Sequence, residues 1–424
     1  MRLRGTGSGD IPLPGRIFPC FSAPRLRNIE VQFYGMFSGC TSFASVCSAI
    51  GTRLIDAFPS VGLCSYNGQT FFNRQLQPYS GRDPGADIAM IYSLPERRQF
   101  PHGLHRHPVR IGGFVCETDA IHERWVAVCN EFSLVCVPSE FCRRAFVGSG
   151  VTVPVYVVPH GLEPEYRSYH EPPTQGPFVF YNTFDAGSYI ERKGAEELIR
   201  CFCRAFGPGD DVRLVLRTQN NARIFELCQQ YDHHDMIEIE PMEPLGVEDF
   251  ARRYSDVHCV VHPSKGEGFG LIPFQAIACE RPVIAPAATG MAEFLDRSNA
   301  LPLKTKAKIK GIALGNQTGR YYSVDEDHLC HLMRRVYDDW PSDYMRVREA
   351  APAYRAKHQW RHALRGLTAI LQGLTSRDRM VKDIPGLVTE LIQDLPSSET
   401  GDALEAVSSG CGVPILMDNA AQGA

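Results

Sequence analysis

Between His262 and Phe294 the chain reads HPSKGEGFGLIPFQAIACERPVIAPAATGMAEF, which sets an acid, Glu267, inside a glycine-rich loop and an amide, Gln275, eight residues on. The run Val257–His262 has the composition of a strand. It feeds Gly266-Glu267-Gly268-Phe269-Gly270, and a helix is expected from Leu271, with Pro273 tolerated in its first turn. Backbone stripped of side chains ahead of a helix N-terminus leaves several N–H donors pointing outward, and the helix dipole adds positive potential. That arrangement suits a phosphate. A carboxylate is acceptor-only and can hold two hydroxyls at once, so the loop as a whole suits a phosphate carrying a sugar. Turning the chain between strand and helix is the plainer reading of three glycines, but it gives Glu267 and Gln275 no packing role.

Two further segments carry chemistry. Tyr189-Ile-Glu-Arg192-Lys193-Gly194 places two cations just ahead of a helix whose Leu198, Ile199, Phe202 and Phe206 form one apolar face. An anion there would sit between side chains and dipole. An exposed basic pair is the competing reading. The third segment runs Val137-Pro-Ser139-Glu-Phe141, then Ser149-Gly150-Val151, then Val158-Pro159-His160-Gly161.

Ordered at these spacings, the three segments resemble glycosyltransferase family 4, the retaining, nucleotide-sugar-dependent enzymes of the GT-B fold. That family's hallmark is Glu, seven residues, Glu, and here it stands as Glu267-GFGLIPF-Gln275-AIACERPVIA. The resemblance covers roughly residues 29 to 370. It implies an α/β chain of two Rossmann-like, doubly wound parallel-sheet domains facing a cleft. It also implies that Glu267 accepts hydrogen bonds from hydroxyls of the donor sugar and that Arg192 and Lys193 clamp the donor phosphates. Gly268, Phe269, Gly270 and Leu271 would offer backbone N–H groups. Gln275 replaces the second Glu, and its amide would meet the nucleoside ribose without charge assistance. The loop Tyr34–Gly39, with Gly35 and Gly39, matches the loop beside the donor diphosphate, with a plain turn as the equal alternative. Glu117 stands where many relatives carry a histidine, and Asp119 is either a second cleft residue or a helix cap. His160 reads as a structural hinge. The resemblance implies no metal and no cofactor beyond the nucleotide sugar as co-substrate. Asp325-Glu326-Asp327 reads as acids complementing a helix start.

These residues need elements to hold them, and strand-like and helix-like patterns alternate through most of the chain, which argues for parallel sheets. Strands are expected at Ile29–Tyr34, Val61–Tyr66, Asp87–Tyr92, Arg110–Val115, Leu134–Val137 and Val153–Val158, with helices at Phe43–Phe58, Ala120–Cys129 and a Ser139-capped stretch to Phe146. Leu162–Pro177, with four prolines, reads as a linker. The alternation then restarts: strands Phe178–Tyr181, Val212–Thr218, Met236–Glu240 and Pro282–Ala285, and helices Ala195–Phe206, Ala222–Tyr231 and Val247–Tyr254. Long helical patterns follow at Asp325–Tyr337 and Tyr344–Leu374, the second expected to kink or break at Pro352. The division expected is an arm at 1–28, an acceptor domain at 29–165, a donor domain at 166–354, a helix at about 355–374 packing back on the first domain, and a partly disordered tail at 375–424 that frays over Ser397–Ala424.

Bulk properties fit that plan. With 424 residues the chain exceeds one hydrophobic core, and 44% hydrophobic against 22% charged residues describe an ordinary globular protein. A net charge of −4 implies no global attraction to nucleic acid or acidic membrane. Fifteen scattered cysteines without a CxxC repeat favour free thiols and a reducing cytosol. The first twenty residues are broken by proline and glycine and read as no signal peptide; no apolar run is long enough to span a membrane. Peripheral membrane contact and oligomeric state are left open.

The acceptor is not named by the sequence. Glu96–Arg110 holds Arg97, Arg98, Arg106 and Arg110 with three histidines, a local basic patch that a nucleic acid could use, although a solvated loop is favoured. The first expectation is transfer to a hydroxyl of a cell-surface polysaccharide, lipid glycan or small glycoside. Transfer to nucleic acid or a modified base comes second, and a catalytically inactive nucleotide-sugar binder, suggested by Gln275, third.

Overall fold

Each half of the chain folds its alternating pattern into one six-stranded, wholly parallel sheet. A computed structural model describes residues 30–395, apart from 40, 69–70, 72, 83–84, 188, 220, 232–233, 312–317 and 377–383. The expected arm at 1–28 and the segment Ser397–Ala424 lie outside the described residues.

The first sheet comprises β1 (Glu30–Gly35), β2 (Ser60–Ser65), β3 (Ile88–Tyr92), β4 (Val109–Gly113), β5 (Leu134–Val137) and β6 (Val155–Val157), in the spatial order β2-β1-β3-β4-β5-β6. The second comprises β7 (Phe178–Thr183), β8 (Val212–Thr218), β9 (Ile237–Pro241), β10 (Cys259–Val261), β11 (Val283–Pro286) and β12 (Leu301–Leu303). Its order, β12-β11-β10-β7-β8-β9, is the Rossmann order, with a topological switch between β7 and β10. Ligands of such sheets bind outside the carboxyl ends of the strands at the switch.

Helices cover both sheets: α1 (Ser42–Ala57), α2 (Glu123–Cys129) and α3 (Glu140–Gly148) on the first, then α4 (Ile190–Lys193), α5 (Ala195–Ala205), α6 (Ala222–Gln229), α7 (Val247–Ser255) and α8 (Leu271–Ala278) on the second. After these come α9 (Glu326–Asp338), α10 (Trp340–Lys357), α11 (Trp360–Ala363), α12 (Arg365–Ser376) and α13 (Ile384–Gln393). Each sheet is sandwiched between two apolar clusters, as layer architecture requires.

The chain crosses between halves twice, side by side. Leu162 donates its N–H to the His358 carbonyl at 2.7 Å, and a Cβ at position 161 would overlap the Trp360 backbone, so only glycine fits there. Beyond that crossing Trp360, Leu364, Leu367, Ile370, Leu371 and Leu374 pack into the core of the first sheet.

Two expectations need correction. The long helix is not broken at Pro352; α10 runs through it and ends at His358. Tyr344, Val347, Ala351 and Tyr354 are buried along that helix, and their burial outweighs the hydrogen bond that proline removes. Asp119 does not cap α2, whose cap is His122, its ring accepting from Arg124 N–H at 3.1 Å. Lys306, Lys308 and Lys310 lie on an exposed strand: Thr305–Lys310 is β13, paired antiparallel with β14 (Arg320–Val324). Its alternating lysines resemble an exposed edge, which hid the strand from pattern reading. Asp325-Glu326-Asp327 is structural: Asp325 caps α9, Glu326 pairs with Arg200 and Asp327 with Arg204.

Candidate active site

At the β7–β10 switch, four donors converge on one carboxylate oxygen. Glu267 Oε1 lies 2.6 Å from Lys193 Nζ, 2.7 Å from Ser264 Oγ, 3.3 Å from His262 Nε2 and 3.4 Å from Arg192 Nη1. Oε2 accepts no hydrogen bond among the described residues, while the side chain keeps 12% of its surface exposed. One oxygen is anchored and the other presented. Burial alone would raise this carboxyl, but Lys193 and Arg192 overcome it and hold it well below the usual carboxylate range. Burial lowers Lys193, with the Arg192 charge adding to it and Glu267 opposing.

Arg192 is held between the two halves. Its side chain is 2% exposed and donates to the Gly266 carbonyl at 2.7 Å while lying 3.5 Å from Glu117 Oε1. Glu117 belongs to the loop after β4, so this guanidinium ties the first half to the second. Burial works against the Arg192 charge, and the carboxylates of Glu117 and Glu267 raise it again. Lys193, 13% exposed, is the cation with a face left for a ligand.

Local backbone follows from this crowding. A Cβ at Gly266 would overlap the Glu117 carbonyl, and one at Gly268 would overlap Val115. These glycines therefore let the loop lie directly on the first half. The Gly268 carbonyl accepts from Ser139 Oγ at 2.6 Å, from the same hydroxyl that caps α3. Gly270 caps α8 in the left-handed region, φ 100°. Two non-glycine residues also adopt positive φ here: Tyr189 (61°), just before Arg192-Lys193, and Thr289 (55°), whose hydroxyl accepts from Glu267 N–H at 3.2 Å. Such conformations cost on the order of 1–3 kcal/mol each and gather at functional sites.

Other expected residues lie further away. Phe269 is buried in the core and packs on His160, ring centroids 4.8 Å apart; Leu271 is half-buried at the start of α8. His160 hydrogen-bonds Tyr92 and stays neutral, burial holding its pKa down to about 3, which fits the hinge reading. Gln275 is buried, its Oε1 3.5 Å from Tyr254 Oη, so its amide is engaged inside the second half. Gly35 packs on Cys47 of α1, and Gly39, at φ 84°, is open. Asp119 accepts from Arg320 N–H at 2.7 Å and pairs with Lys308 at 3.1 Å, so it pins the β13–β14 hairpin of the second half to the first. The arginines of the patch pair locally or stay exposed. Arg97 pairs with Glu131, Arg98 with Glu96 at 3.7 Å, and Arg106 is exposed.

Pattern reading gave no role to His262, Ser264, Asn182, Thr289 or Tyr321. His262 and Ser264 could have been found: both stand between a strand end and Glu267. Thr289 and Tyr321 come close only through folding.

A family model described as family 4 glycosyltransferase in conflict systems matches residues 142–367, more than half of the chain. The chain belongs to this family. A viral relative, candidate glycosyltransferase 45 of Sulfolobus islandicus filamentous virus (isolate Iceland/Hveragerdi), is 23% identical over 242 residues, or 54% of this chain. The chain spans 63% of the length of that relative. A glycosyltransferase from Rickettsia africae ESF-5 superposes with a TM-score of 0.62 at 12% identity, covering 82% of this chain and 99% of that one. Anabaena Alr3699/HepE, solved in complex with UDP and glucose, superposes at 0.61 and 12% identity, with 82% and 99% covered. Sucrose-phosphate synthase from Thermosynechococcus elongatus superposes at 0.56 and 16% identity, with 81% and 98% covered. These likenesses show a GT-B fold for the family 4 chain. Among its described residues every cysteine is unpaired, and no helix is long and apolar enough to cross a membrane.

Proposed function

We propose that the chain is a retaining glycosyltransferase that moves a sugar from a nucleotide-sugar donor to a hydroxyl acceptor. The observation that carries this reading is the split carboxylate of Glu267, one oxygen held by four donors and the other open, at the switch of a Rossmann-ordered sheet. Oε2 is the acceptor for hydroxyls of the donor sugar, and Lys193 meets the diphosphate. The structure of Anabaena Alr3699/HepE with UDP-glucose supports a donor of this class.

In the reaction the bond from the anomeric carbon to the diphosphate oxygen breaks. The acceptor oxygen bonds to that carbon on the same face, and its proton passes to the departing phosphate. The protein supplies positioning and charge. No residue needs to act as a base on the acceptor. With Lys193 and the N–H groups ahead of α8 supplying positive potential for the diphosphate, activity without a divalent cation is expected, and undiminished turnover in a chelator is the check.

A thermal-shift panel of nucleotide sugars tests the reading. At about a hundred times its dissociation constant, the matching donor adds about 2.7 kcal/mol of stability. A panel in which no nucleotide or nucleotide sugar stabilises the protein contradicts the proposal.

A further inference from the structure

His262, at the end of β10, stands between two side chains that make different demands on its ring. Nε2 lies 3.3 Å from Glu267 Oε1, and Nδ1 lies 3.3 Å from the Asn182 side chain at the end of β7. A carboxylate oxygen only accepts, so Nε2 must carry a proton. Whether Nδ1 carries one too depends on charge. The ring is 2% exposed, with Lys193 and Arg192 as its cationic neighbours and Glu267 as its anionic one. Burial disfavours the imidazolium, the two cations add to that, and Glu267 offsets it only in part, so the ring's pKa falls below its ordinary value.

A neutral ring with its proton on Nε2 leaves Nδ1 as an acceptor. Asn182 must then turn its amide nitrogen, not its oxygen, toward the ring. A second observation asks for the same turn. With the oxygen facing His262, Asn182 Nδ2 is a buried donor with no partner, on a residue that is fully buried. Flipping the amide gives Nδ1 a donor and Nδ2 an acceptor, with Oδ1 moving to the place Nδ2 leaves, and the two amide orientations are a matter of assignment by hydrogen bonding.

We infer that His262 is a positioning residue for sugar transfer, a neutral Nε2–H donor locked by Asn182 that fixes the Glu267 carboxylate with Oε2 turned to the donor. The inference rests on the reading of Glu267 as the sugar-binding carboxylate. Of the four donors on Oε1, Lys193 is on a flexible stem and is the one a diphosphate would draw away. Arg192 is shared with Glu117 and the Gly266 carbonyl. His262 and Ser264 remain on Oε1 when the donor is bound. His262 is the rigid one of the two, its ring held from both nitrogens.

Two measurements decide it. Ring-nitrogen NMR of the whole chain, with the signal assigned by its loss in His262→Gln, reads the tautomer directly. The expected result is one neutral, Nε2-protonated ring that does not titrate between about pH 5 and 8. A ring protonated on Nδ1, or one that titrates in that window, overturns the inference. The second measurement is kinetic. His262→Gln keeps an N–H donor near Nε2, whereas His262→Phe keeps bulk without one. For the Phe variant kcat/KM falls roughly 10- to 100-fold, while affinity for the sugar-free nucleoside diphosphate is unchanged and Gln recovers most of the loss. Equal losses in both variants, or weakened nucleoside diphosphate binding, would show a merely structural histidine. Absence of turnover with every nucleotide sugar sinks the transfer reading and the positioning role with it, but leaves the NMR result to locate the hydrogen bond.

Discussion

Glu267 decides the site's character through what surrounds each of its two oxygens. Lys193 and Arg192 bring two positive charges into a buried space, and the carboxylate answers them with Oε1 while 12% of its side chain stays exposed. Removing the charge exposes what it does. Glu267→Gln leaves Lys193 without its close carboxylate partner, and breaking a buried pair of this kind costs about 3–5 kcal/mol. Denaturant unfolding of the variant at neutral pH would show that loss. The acid limb carries a second signature. The folded-state carboxyl is held below its unfolded value, so its stabilisation is complete above the unfolded pKa and is lost as pH falls through the folded one. Stability of the wild type therefore drops more steeply on acidification than that of Glu267→Gln. Parallel acid limbs would mean the carboxylate is not charge-stabilised. Glu267, Arg192 and Lys193 were legible in the sequence because loop, helix and charge are local features. The anchoring of a single oxygen was not, since Lys193 and Glu267 stand 74 positions apart and only packing aligns them.

At the scale of elements, the hairpin β13–β14 is the least expected piece and the one with the clearest consequence. Asp119 N–H donates to the Arg320 carbonyl at 3.0 Å, its carboxylate takes Arg320 N–H and Lys308, and Gly319 N–H donates to the Ala120 carbonyl at 3.2 Å. The hairpin thus reaches from the second half to the loop that carries Glu117. Tyr322 N–H also donates to the Lys265 carbonyl at 3.1 Å, which joins the hairpin to the loop of Glu267. Asp119→Ala removes two of these links. Hydrogen exchange in 305–310 and 320–324 is expected to quicken by a factor of roughly 10, with a stability loss of about 1–2 kcal/mol. Unchanged exchange would show that the hairpin is held by its own pairing alone. Strands and helices with strong apolar periodicity were readable: β5, β8 and the start of α8 stand where pattern placed them. A polar ribbon whose stability comes from a distant partner leaves no such pattern, and neither did the continuation of α10 through Pro352, which tertiary burial decides.

For the whole molecule, two parallel sheets meet so that their loops share one site. The Gly266–Gly268 backbone lies on Val115–Glu117, Ser139 holds the Gly268 carbonyl, and Glu293 accepts from Glu140 N–H at 2.9 Å. This closeness makes the glycines obligatory and puts Glu117, from one half, within reach of Arg192 from the other. The doubly wound character and the site's location between the halves could be read from alternation and motif order. How tightly the halves close could not, because it depends on the absence of side chains at two loop positions and on the overlap of two chain crossings. On the proposed function, Glu267 recognises the donor sugar at the β7–β10 switch. Calorimetric titration of the wild type and Glu267→Gln, with the nucleotide sugar found by the panel and with its sugar-free diphosphate, tests it most directly. Both proteins are expected to bind the diphosphate alike, while the variant loses about 1.5–3 kcal/mol of affinity for the nucleotide sugar. Equal binding of the nucleotide sugar by the two proteins would contradict it.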